Sequence, residues 1–522
     1  MQLLLYLCMS TRKGESKMKR KIQIIAGLIL AFLIFTVPLQ AQESFWCGNP
    51  IAEFLDPNTA DAYHDFLVDT VMPVIRSEIS SVGSNNPESD KGVTIYDSDR
   101  CWNGYTLLSS MAGHQPDTNG PMYNAILVDM DGNLIREWAF GNARQRWPFK
   151  MIPGGYVWGG GQLPNGEKVL QLQDWDGNVV KQFDPEHWHH HDYQREGNPV
   201  GYYVPGMEPM LEGGKTLILG NFNPDPNLTA HISEFTLKDD ILWELDWDGN
   251  VLWQWEGWEH FEQFGFDVAA RDAIKCIGRQ GGAKDWLHAN AASWIGPNKW
   301  YDQGDLRFHP DNIILSFREA NITLIVARYD HPEGQWISGD VIWRVGPDYS
   351  ADFPEHKLGQ IVGQHHSHLI PKGLPGAGNV LVFDNGGNAG HGAVVPGLCR
   401  GTNPNKLRDF TRVIEFDPTT MDLVWEYRQQ HPTEDLDEDG DIKGCERKFF
   451  SAFISGATRL PNGNTLICEG ACGRVFEVTT EGDIVWEYIS PYTGAADAMV
   501  ISNNVFRAYR IPASWLPESA VN

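Results

Sequence analysis

The most regular feature of the sequence is an alternation of apolar and polar residues over short segments that end at turns rich in Asp, Gly and Asn. Three copies share the turn Asp-Gly-Asn, and an aromatic residue ends the second segment of each; they cover residues 125–138, 170–183 and 242–253. A period of two places one set of side chains on the buried face of a β-strand, and Asp-Gly-Asn supplies the positive φ angles of tight hairpins. The pattern therefore predicts β-hairpins.

Three further hairpins complete the series. Residues 412–425 and 474–486 repeat it with altered turns, and only the closing segment 340–343 is clear in another copy. The closing aromatic residues lie 45 to 90 residues apart: Trp138, Phe183, Trp253, Trp343, Trp425 and Trp486. A four-stranded propeller blade takes about 40–50 residues, and several copies follow a further strand, as at 460–466. The repeat therefore predicts an all-β fold, a six-bladed β-propeller, with a β-sandwich plus a second β-domain as the alternative.

The repeat also divides the chain. Residues 105–522 form the predicted propeller, which is the catalytic domain, and the tail after Ser490 is expected to add a strand that closes the ring. Residues 42–104 do not fit the repeat, and they predict a short N-terminal cap that is helical over 60–77 and irregular elsewhere.

The N-terminus has the features of an export signal. Four basic residues between 17 and 21 precede an apolar run over 24–37, and Ala41 supplies a small residue for cleavage. The run is short for a membrane span, which needs about 20 residues. Residues 1–41 are therefore predicted to be a signal peptide, and the mature protein to be periplasmic or secreted without a membrane span. An uncleaved anchor is the alternative.

Composition restricts the partners of such a protein. The 522 residues include 53 Gly and 31 Pro, which suits a chain that turns often. The formal charge of −27 comes from 41 Lys and Arg against 68 Asp and Glu. It excludes a nonspecific nucleic-acid binder, because such binding depends on basic side chains that neutralise phosphates. Seven cysteines follow the signal, so disulfides are expected in an oxidising compartment, and Cys468 with Cys472 is the favoured pair.

Histidine clusters interrupt the repeats in three places. They lie in residues 188–192, 285–290 and 364–370, and Arg318 stands between the last two. Since the innermost strands of a propeller converge, loops from different blades can meet over the central channel and share one cationic pocket, which suits an anionic tetrahedral group. Zinc, copper or iron held by three histidines is the competing interpretation. Each segment taken alone can also be explained by ordinary hydrogen-bonded histidines.

Four short motifs together resemble the bacterial arylsulfate sulfotransferases over about residues 105–490. The motifs are Asp-Trp-x-His-x-Asn at 285–290, Ser-x-Arg at 316–318, Gln-His at 364–365 followed by Phe-Asp-Asn-Gly at 383–386, and His-His-Asp at 190–192. The resemblance implies an exported six-bladed propeller that moves a sulfuryl group from a phenolic sulfate ester to a phenol. It also implies a sulfohistidine intermediate, no nucleotide sulfate donor (PAPS) and no cofactor for catalysis.

The resemblance also assigns roles to residues. The implied catalytic residues are His365 as the nucleophile, His288 and Arg318, and the substrate-binding residues are His190 or His191, Asn290 and His368. A neutral imidazole is a good nucleophile near pH 7, and a guanidinium offers a fixed fork of N–H donors to sulfuryl oxygens. His366 and His368 stand beside His365, so the choice among the three rests on the alignment of the motif.

An acidic loop late in the chain matches the template of a calcium-binding loop. In template order its residues are Asp435, Asp437, Asp439, Gly440, Asp441, Ile442 and Glu446. The loop predicts a structural Ca²⁺ site apart from catalysis, and a solvated acidic loop is the alternative.

The leading functional prediction is an aryl-sulfate sulfotransferase with two small-molecule partners, a phenolic sulfate donor and a phenol acceptor. Two alternatives stay open: a propeller oxidoreductase with a quinone or metal cofactor, and a non-catalytic binding propeller. No nucleic-acid partner is expected, and the sequence leaves a homodimer open.

Overall fold

Short β-strands make up most of the regular secondary structure in the described residues. A computed structural model describes residues 91–111, 124–140, 147–162, 167–184, 188–276, 284–350, 352–387, 408, 410–429, 449–492, 494–497 and 500–521.

The strands are, in chain order, β1 (Gly92–Tyr96), β2 (Tyr105–Ser110), β3 (Asn124–Val128), β4 (Leu134–Ala139), β5 (Lys150–Ile152), β6 (Tyr156–Gln162), β7 (Lys168–Gln173), β8 (Val179–Phe183), β9 (Trp188–Arg195), β10 (Thr216–Phe222), β11 (Leu237–Leu245), β12 (Val251–Glu256), β13 (Lys284–Asp285), β14 (Ala289–Trp294), β15 (Ile313–Phe317), β16 (Ile322–Val326), β17 (Val341–Val345), β18 (His365–Leu369), β19 (Val380–Asp384), β20 (Arg412–Phe416), β21 (Leu423–Tyr427), β22 (Gly456–Arg459), β23 (Thr465–Glu469), β24 (Arg474–Val478), β25 (Ile484–Ile489), β26 (Gly494–Asp497), β27 (Val500–Ser502) and β28 (Val505–Ile511). The α-helices of the described residues are short: α1 (Pro226–Thr229), α2 (Val268–Cys276), α3 (Lys299–Asp302) and α4 (Glu518–Val521). The 3₁₀ helices there are Gly257–Phe264, Leu306–Phe308, Pro354–Leu358, Gly470–Cys472 and Ala513–Trp515.

Six antiparallel sheets of four strands, numbered here as blades 1 to 6, form a ring. From the axis outwards the blades are β28-β2-β3-β4, β5-β6-β7-β8, β9-β10-β11-β12, β14-β15-β16-β17, β18-β19-β20-β21 and β22-β23-β24-β25. Innermost strands of successive blades contact one another, as β9 contacts β14 and β14 contacts β18. The protein is therefore a six-bladed β-propeller, and the prediction from the repeat is confirmed.

The middle strands of each blade are buried on both faces because neighbouring blades pack against them. In β15, β16, β19 and β20 every residue is buried. The apolar side chains between blades 4 and 5 illustrate this packing, with Ile314 and Ile325 of one blade against Val382 and Ile414 of the next. The outermost strands keep only one face covered, so they alternate between half-buried and exposed positions, as in β12.

The closing aromatic residues join each blade to the next. In five blades a tryptophan of the outermost strand donates its indole N–H to a backbone carbonyl in the last hairpin turn of the following blade. The donor and acceptor pairs are Trp138 and Asp174, Trp255 and Gly339, Trp343 and Pro418, Trp425 and Thr480, and Trp486 and Met130, at 2.8–2.9 Å. In blade 2 the ring of Phe183 instead contacts Trp247 of blade 3, with centroids 6.2 Å apart.

Both ends of the described chain close the ring. The last strand, β28, pairs with β2 and so becomes the innermost strand of blade 1, which confirms the strand predicted after Ser490. The first strand, β1, pairs with β25 and adds a fifth strand to blade 6. That strand lies within 42–104, the segment predicted as a cap. The predicted helix at 60–77, the signal peptide 1–41 and the calcium loop 435–446 lie outside the described residues, and each stays a prediction.

The favoured disulfide between Cys468 and Cys472 is wrong. Cys468 carries a free, buried thiol, and its sulfur lies 3.6 Å from the carbonyl oxygen of Val505. Cys472 is disulfide-bonded to a different residue. The two cysteines are separated because Cys468 lies within β23 while Cys472 ends the 3₁₀ helix Gly470–Cys472.

Hydropathy places no candidate membrane span in the described residues, where every helix is too short or too polar to cross a bilayer.

Candidate active site

The predicted site residues gather at one end of the propeller axis. Those on innermost strands lie at or near the first residues of β9, β14 and β18: His190, His191, His288, Asn290 and His365. Every blade repeats the same antiparallel order, so the innermost strands point the same way and begin on the same side of the ring. Arg318 directly follows β15, and Asn385 directly follows β19. Because these two strands run antiparallel to β14 and β18, both residues return to that same end.

His365 is held by its Nδ1 atom. This nitrogen lies 2.8 Å from the side-chain oxygen of Asn385 and 3.1 Å from the carbonyl oxygen of Gly363. The amide nitrogen of Asn385 donates to the carbonyl oxygens of Ser451 at 2.7 Å and Ile454 at 3.0 Å. Since those two acceptors fix the amide orientation, Asn385 presents an acceptor to His365, and Nδ1 must carry the proton. The Nε2 atom of His365 is then left with its lone pair.

The backbone at the histidines adopts an uncommon conformation. His191, His288 and His366 have φ angles of 65°, 55° and 56°, in the left-handed region that non-glycine residues rarely occupy. Shifts in strand register occur in or beside these residues. They lie between β9 and β10, between β14 and β15, and between β18 and β19. Such bulges turn side chains away from the regular alternation of a strand, and strain of this kind concentrates at functional sites.

His288 is paired with a carboxylate. Its Nδ1 lies 2.7 Å from Asp285, which is also 3.3 Å from the ammonium group of Lys238. The Nε2 atom of His288 is buried and has no hydrogen-bond partner among the described residues. Burial alone would raise the pKa of Asp285, but His288, Lys238 and Arg318 together hold it well below its usual range. His288 therefore keeps one nitrogen oriented by a carboxylate and turns the other toward the site.

His190 and His191 stand beside His288 and differ in how they are held. The ring of His191 lies 4.8 Å from that of His288, and the ring of His190 lies 6.2 Å away. His190 uses both nitrogens, Nε2 at 3.0 Å from Asp240 and Nδ1 against the Nδ1 of His191. His191 is thus the nearer of the two predicted alternatives to His288, and His190 fixes its position.

Arg318 and Asn290 connect the parts of the site. The backbone N–H of Arg318 donates to the carbonyl oxygen of His288 at 3.2 Å, and its guanidinium contacts Glu319 at 2.5 Å. The Nε atom of Arg318 is buried and has no hydrogen-bond partner in the described part of the chain. Asn290 donates from Nδ2 to the carbonyl oxygen of Gln364 at 2.7 Å, so it joins the His288 segment to the peptide bond before His365.

The site keeps its imidazoles neutral. Burial lowers the pKa of His365 well below its ordinary value, and the positive charges of Arg318 and Arg507 lower it further while the hydrogen bond to Asn385 opposes them. Burial also lowers the pKa of His288 to about 3, with Arg318 adding to the effect and Asp285 opposing it. Arg318 lowers the pKa of both histidines, and His288 also lowers that of His365, so the three side chains are close enough to interact electrostatically. At neutral pH both histidines therefore carry a free lone pair.

The two histidines after His365 have other surroundings. His368 uses both ring nitrogens, Nδ1 at 2.8 Å from the carbonyl oxygen of His366 and Nε2 at 3.0 Å from the hydroxyl of Tyr202. His366 has a buried Nδ1 without a hydrogen-bond partner among the described residues. Its ring lies 4.6 Å from that of His368. Of the three, His365 alone combines a fixed Nδ1 with an Nε2 for which no hydrogen-bond partner appears in the described segments.

Sequence reasoning overlooked three residues of this site. Asp285 and Asn385 both lie inside the motifs that carried the resemblance, but their contacts with His288 and His365 depend on the fold. Arg507 lies in β28 and lowers the pKa of His365, yet no motif surrounds it. A buried arginine in a strand gives no sequence signal that separates a site residue from a structural one.

A metal centre built from three histidines was the competing interpretation. No group of three or more His, Cys, Asp or Glu side chains within the described ranges has an arrangement that could hold a metal ion.

Fold and site together define a β-propeller with a buried histidine and arginine pocket on its axis. A family model described as arylsulfotransferase (ASST) matches residues 211–500, more than half of the chain. The protein belongs to this arylsulfotransferase family, which makes it a sulfotransferase by class and implies phenolic substrates. A search of the curated proteins found no match.

The similarity to solved structures is weak. A protein of unknown function from Bacteroides caccae is 11% identical, covers 78% of this chain and 99% of its own, and has a TM-score of 0.37. A putative 6-phosphogluconolactonase from Bacteroides fragilis is 10% identical with coverages of 80% and 99% and a TM-score of 0.31. A virginiamycin B lyase from Staphylococcus aureus is 9% identical, with coverages of 76% and 88% and a TM-score of 0.29. None of these likenesses bears on function.

Proposed function

We propose that the protein transfers a sulfuryl group from a phenolic sulfate ester to a phenol, with His365 as the transient carrier. The observation that supports this most is the state of the His365 ring. Asn385 and Gly363 hold Nδ1, so that Nε2 keeps its lone pair, and Arg318 and His288 are near enough to lower the pKa of His365. A neutral, oriented imidazole among positive donors is what nucleophilic attack on a sulfate ester needs.

In the first half of the reaction, Nε2 of His365 attacks the sulfur of the donor. The bond between sulfur and the phenolic oxygen breaks, and the phenolate leaves with the electron pair. Sulfur gains a bond to nitrogen, and the sulfuryl group in flight resembles sulfur trioxide. In this proposal the guanidinium of Arg318 holds its oxygens through charge-assisted hydrogen bonds. Its buried, unpartnered Nε is consistent with a donor reserved for substrate.

In the second half, an acceptor phenol attacks the sulfur of the adduct and His365 leaves in its original neutral form. His288 is suited to take the proton of the acceptor, because Asp285 orients its ring through Nδ1 and stabilises the imidazolium that forms. The phenolate released from the donor takes a proton from water, and His288, whose low pKa favours the neutral ring, gives the proton of the acceptor back to water, so protons balance over a full cycle. His191 and Asn290 border the same pocket and are assigned to substrate binding.

The location of the protein, its need for a cofactor and its calcium site are proposed here as the sequence predicts them. We assign the protein to the periplasm or the exterior, with no cofactor needed for catalysis. The calcium loop would serve stability only. Equilibrium calorimetry with Ca²⁺ tests that assignment, and a protein that binds no Ca²⁺ removes it.

The function is tested by turnover of 4-nitrophenyl sulfate with phenol as the acceptor. His365→Ala is expected to abolish transfer while near-ultraviolet circular dichroism stays that of the unmodified protein. A matched control is His309→Ala, since His309 contacts Tyr301 and Tyr329 on the outside of blade 4 and should leave turnover unchanged. Near-normal turnover by His365→Ala contradicts the nucleophile. No turnover by the unmodified, folded protein favours a binding propeller instead.

A further inference from the structure

A second guanidinium reaches the site from the opposite side of the ring. Arg507 lies in β28, the innermost strand of blade 1, and only 1% of it is exposed. Its Nη2 donates to the carbonyl oxygen of Asn290 at 3.0 Å. Asn290 belongs to β14 of blade 4, and blades 1 and 4 face each other in a ring of six. The side chain of Arg507 therefore spans the channel at the level of the candidate active site.

The charge of Arg507 is not balanced by a carboxylate in the described part of the chain. Several other buried arginines pair with an acid: Arg318 with Glu319, Arg459 with Glu415 and Arg510 with Glu477. Arg507 instead has neutral neighbours, since its Nη2 donates to the carbonyl oxygen of Asn290 and the hydroxyl of Tyr509 lies beside its guanidinium. The Nε atom of Arg507 is buried and has no hydrogen-bond partner among the described residues. A desolvated, unpaired charge is costly, so this arrangement indicates an anion that binds there.

The space beside Arg507 also contains other polar atoms that lack partners. A Cβ atom on Gly456 would lie 3.0 Å from Cδ of Arg507 and 2.8 Å from Nδ1 of His366. Both side chains thus flank the same glycine, and the Nδ1 of His366 has no hydrogen-bond partner in the described ranges. The absence of a side chain at Gly456 is what lets the guanidinium and the imidazole approach this part of the channel.

Arg507 is close to the proposed nucleophile. The carbonyl oxygen of Asn290 accepts from Arg507, and the side chain of Asn290 donates to the carbonyl oxygen of Gln364. Gln364 is the residue directly before His365. The residue before it, Phe506, has its ring 5.7 Å from the ring of His191. The start of β28 therefore lies beside His191 of blade 3, Asn290 of blade 4 and His366 of blade 5.

We propose that Arg507 is a catalytic residue that binds the oxygens of the transferred sulfuryl group, as a second guanidinium opposite Arg318. The assignment rests on the proposed function, because the sulfuryl group is its ligand. Arg318 approaches from blade 4 and Arg507 from blade 1, so the two place N–H donors on different sides of the group. The donors hold the oxygens while the sulfur passes between the phenolic oxygen and Nε2 of His365, and no bond to Arg507 forms or breaks.

The test compares binding of inorganic sulfate and turnover of 4-nitrophenyl sulfate in three variants of the full chain. Arg507→Met should weaken sulfate binding, measured by calorimetry, by about tenfold or more, which corresponds to the loss of one charge-assisted contact. Arg507→Lys should regain part of the affinity, because it restores the charge without the fork of donors. The matched control, Arg510→Lys, should bind sulfate as before, because Arg510 is paired with Glu477 away from the site.

Turnover separates this role from a structural one. Arg507→Lys should lower kcat more than it raises KM, because the contact strengthens as the sulfuryl group leaves the donor. Unchanged sulfate binding and unchanged kcat in Arg507→Lys overturn the assignment, and this holds even if Arg507→Met fails to fold. His365→Ala should still bind sulfate. Sulfate binding that depends on Arg507 in a protein without transfer activity would refute the proposed function and with it the catalytic role, leaving an anion site.

Discussion

At the scale of single residues, the reactivity of the site depends on which nitrogen of His365 carries the proton. Asn385 decides this, since its amide nitrogen is committed to Ser451 and Ile454 and only its oxygen can face the ring. Burial and two nearby guanidinium groups then keep the ring neutral. The proposed nucleophile is thus oriented by a neighbour that has no contact with substrate in the proposed reaction.

Replacing Asn385 tests this positioning role. Asn385→Ala removes the acceptor from Nδ1, so the ring can rotate or adopt the other tautomer, and kcat should fall about 10- to 100-fold, the range seen when the group that orients a metal-binding histidine is removed. KM for the donor should change little because Arg318 remains. Asn385→Asp serves as the comparison, since it keeps an acceptor for Nδ1 and should retain more activity than Asn385→Ala. Equal kcat in Asn385→Ala and the unmodified protein would contradict the role.

Residue types alone could predict the histidine clusters and Arg318, but not the roles of all their neighbours. Arg507 and Arg510 illustrate the limit, as both are buried arginines in the same alternating strand. Arg510 is balanced by Glu477, whereas Arg507 reaches across the axis to blade 4. That difference arises from contacts between blades, and the pattern of one strand does not contain it.

At the scale of elements, each blade is joined to the next by an aromatic side chain on its outermost strand. The six aromatic positions could be predicted from the repeat, because alternation and turn chemistry act locally. In blade 3 two indoles bond to the next blade: the predicted Trp253 donates to the hydroxyl of Ser338, and Trp255, two residues later on the same face of β12, donates to the carbonyl oxygen of Gly339. The fifth strand of blade 6 was not predicted, because β1 pairs with residues almost 400 positions later and has no hairpin turn of its own.

The contact between blades 6 and 1 provides a prediction at this scale. Trp486→Phe removes the hydrogen bond to Met130 and leaves a buried carbonyl without its partner, so the free energy of unfolding should fall by about 1–3 kcal/mol. Trp253→Phe is the matched control, because its partner is the partly exposed Ser338, to which water can bond instead, and it should cost less. Denaturant unfolding measures both. A Trp486→Phe variant as stable as the control would show that this bond does not hold the ring.

At the scale of the whole molecule, the buried histidines couple stability to pH. Burial lowers the pKa of His189 and His288 to about 3 and that of His368 to about 4, whereas an unfolded chain has the ordinary value of about 6.5. As the pH falls below that ordinary value, the unfolded state takes up protons that the folded state does not. Stability is therefore complete above the unfolded pKa and is lost as the pH falls toward the folded values.

Acid unfolding measures this coupling. Each of these histidines should lower the free energy of unfolding by about 1.4 kcal/mol for every pH unit below 6.5, while the raised pKa values of the buried carboxyl groups of Asp239 and Glu469 act in the opposite direction. The contribution of one ring is therefore measured as a difference: between neutrality and a pH of about 5.5, His189→Gln should lose about 1 kcal/mol less than the unmodified protein. An equal loss in both proteins would show that the ring of His189 is charged or exposed in the folded protein.

The proposed carrier role of His365 is tested most directly by mass spectrometry of the protein mixed with an aryl sulfate and quenched before acceptor is added. The predicted result is a mass increase of one sulfuryl group, located on the peptide that contains His365, lost when a phenol is supplied and absent from His365→Ala. An adduct on another peptide, or transfer to phenol with no adduct at any time during turnover, would contradict it.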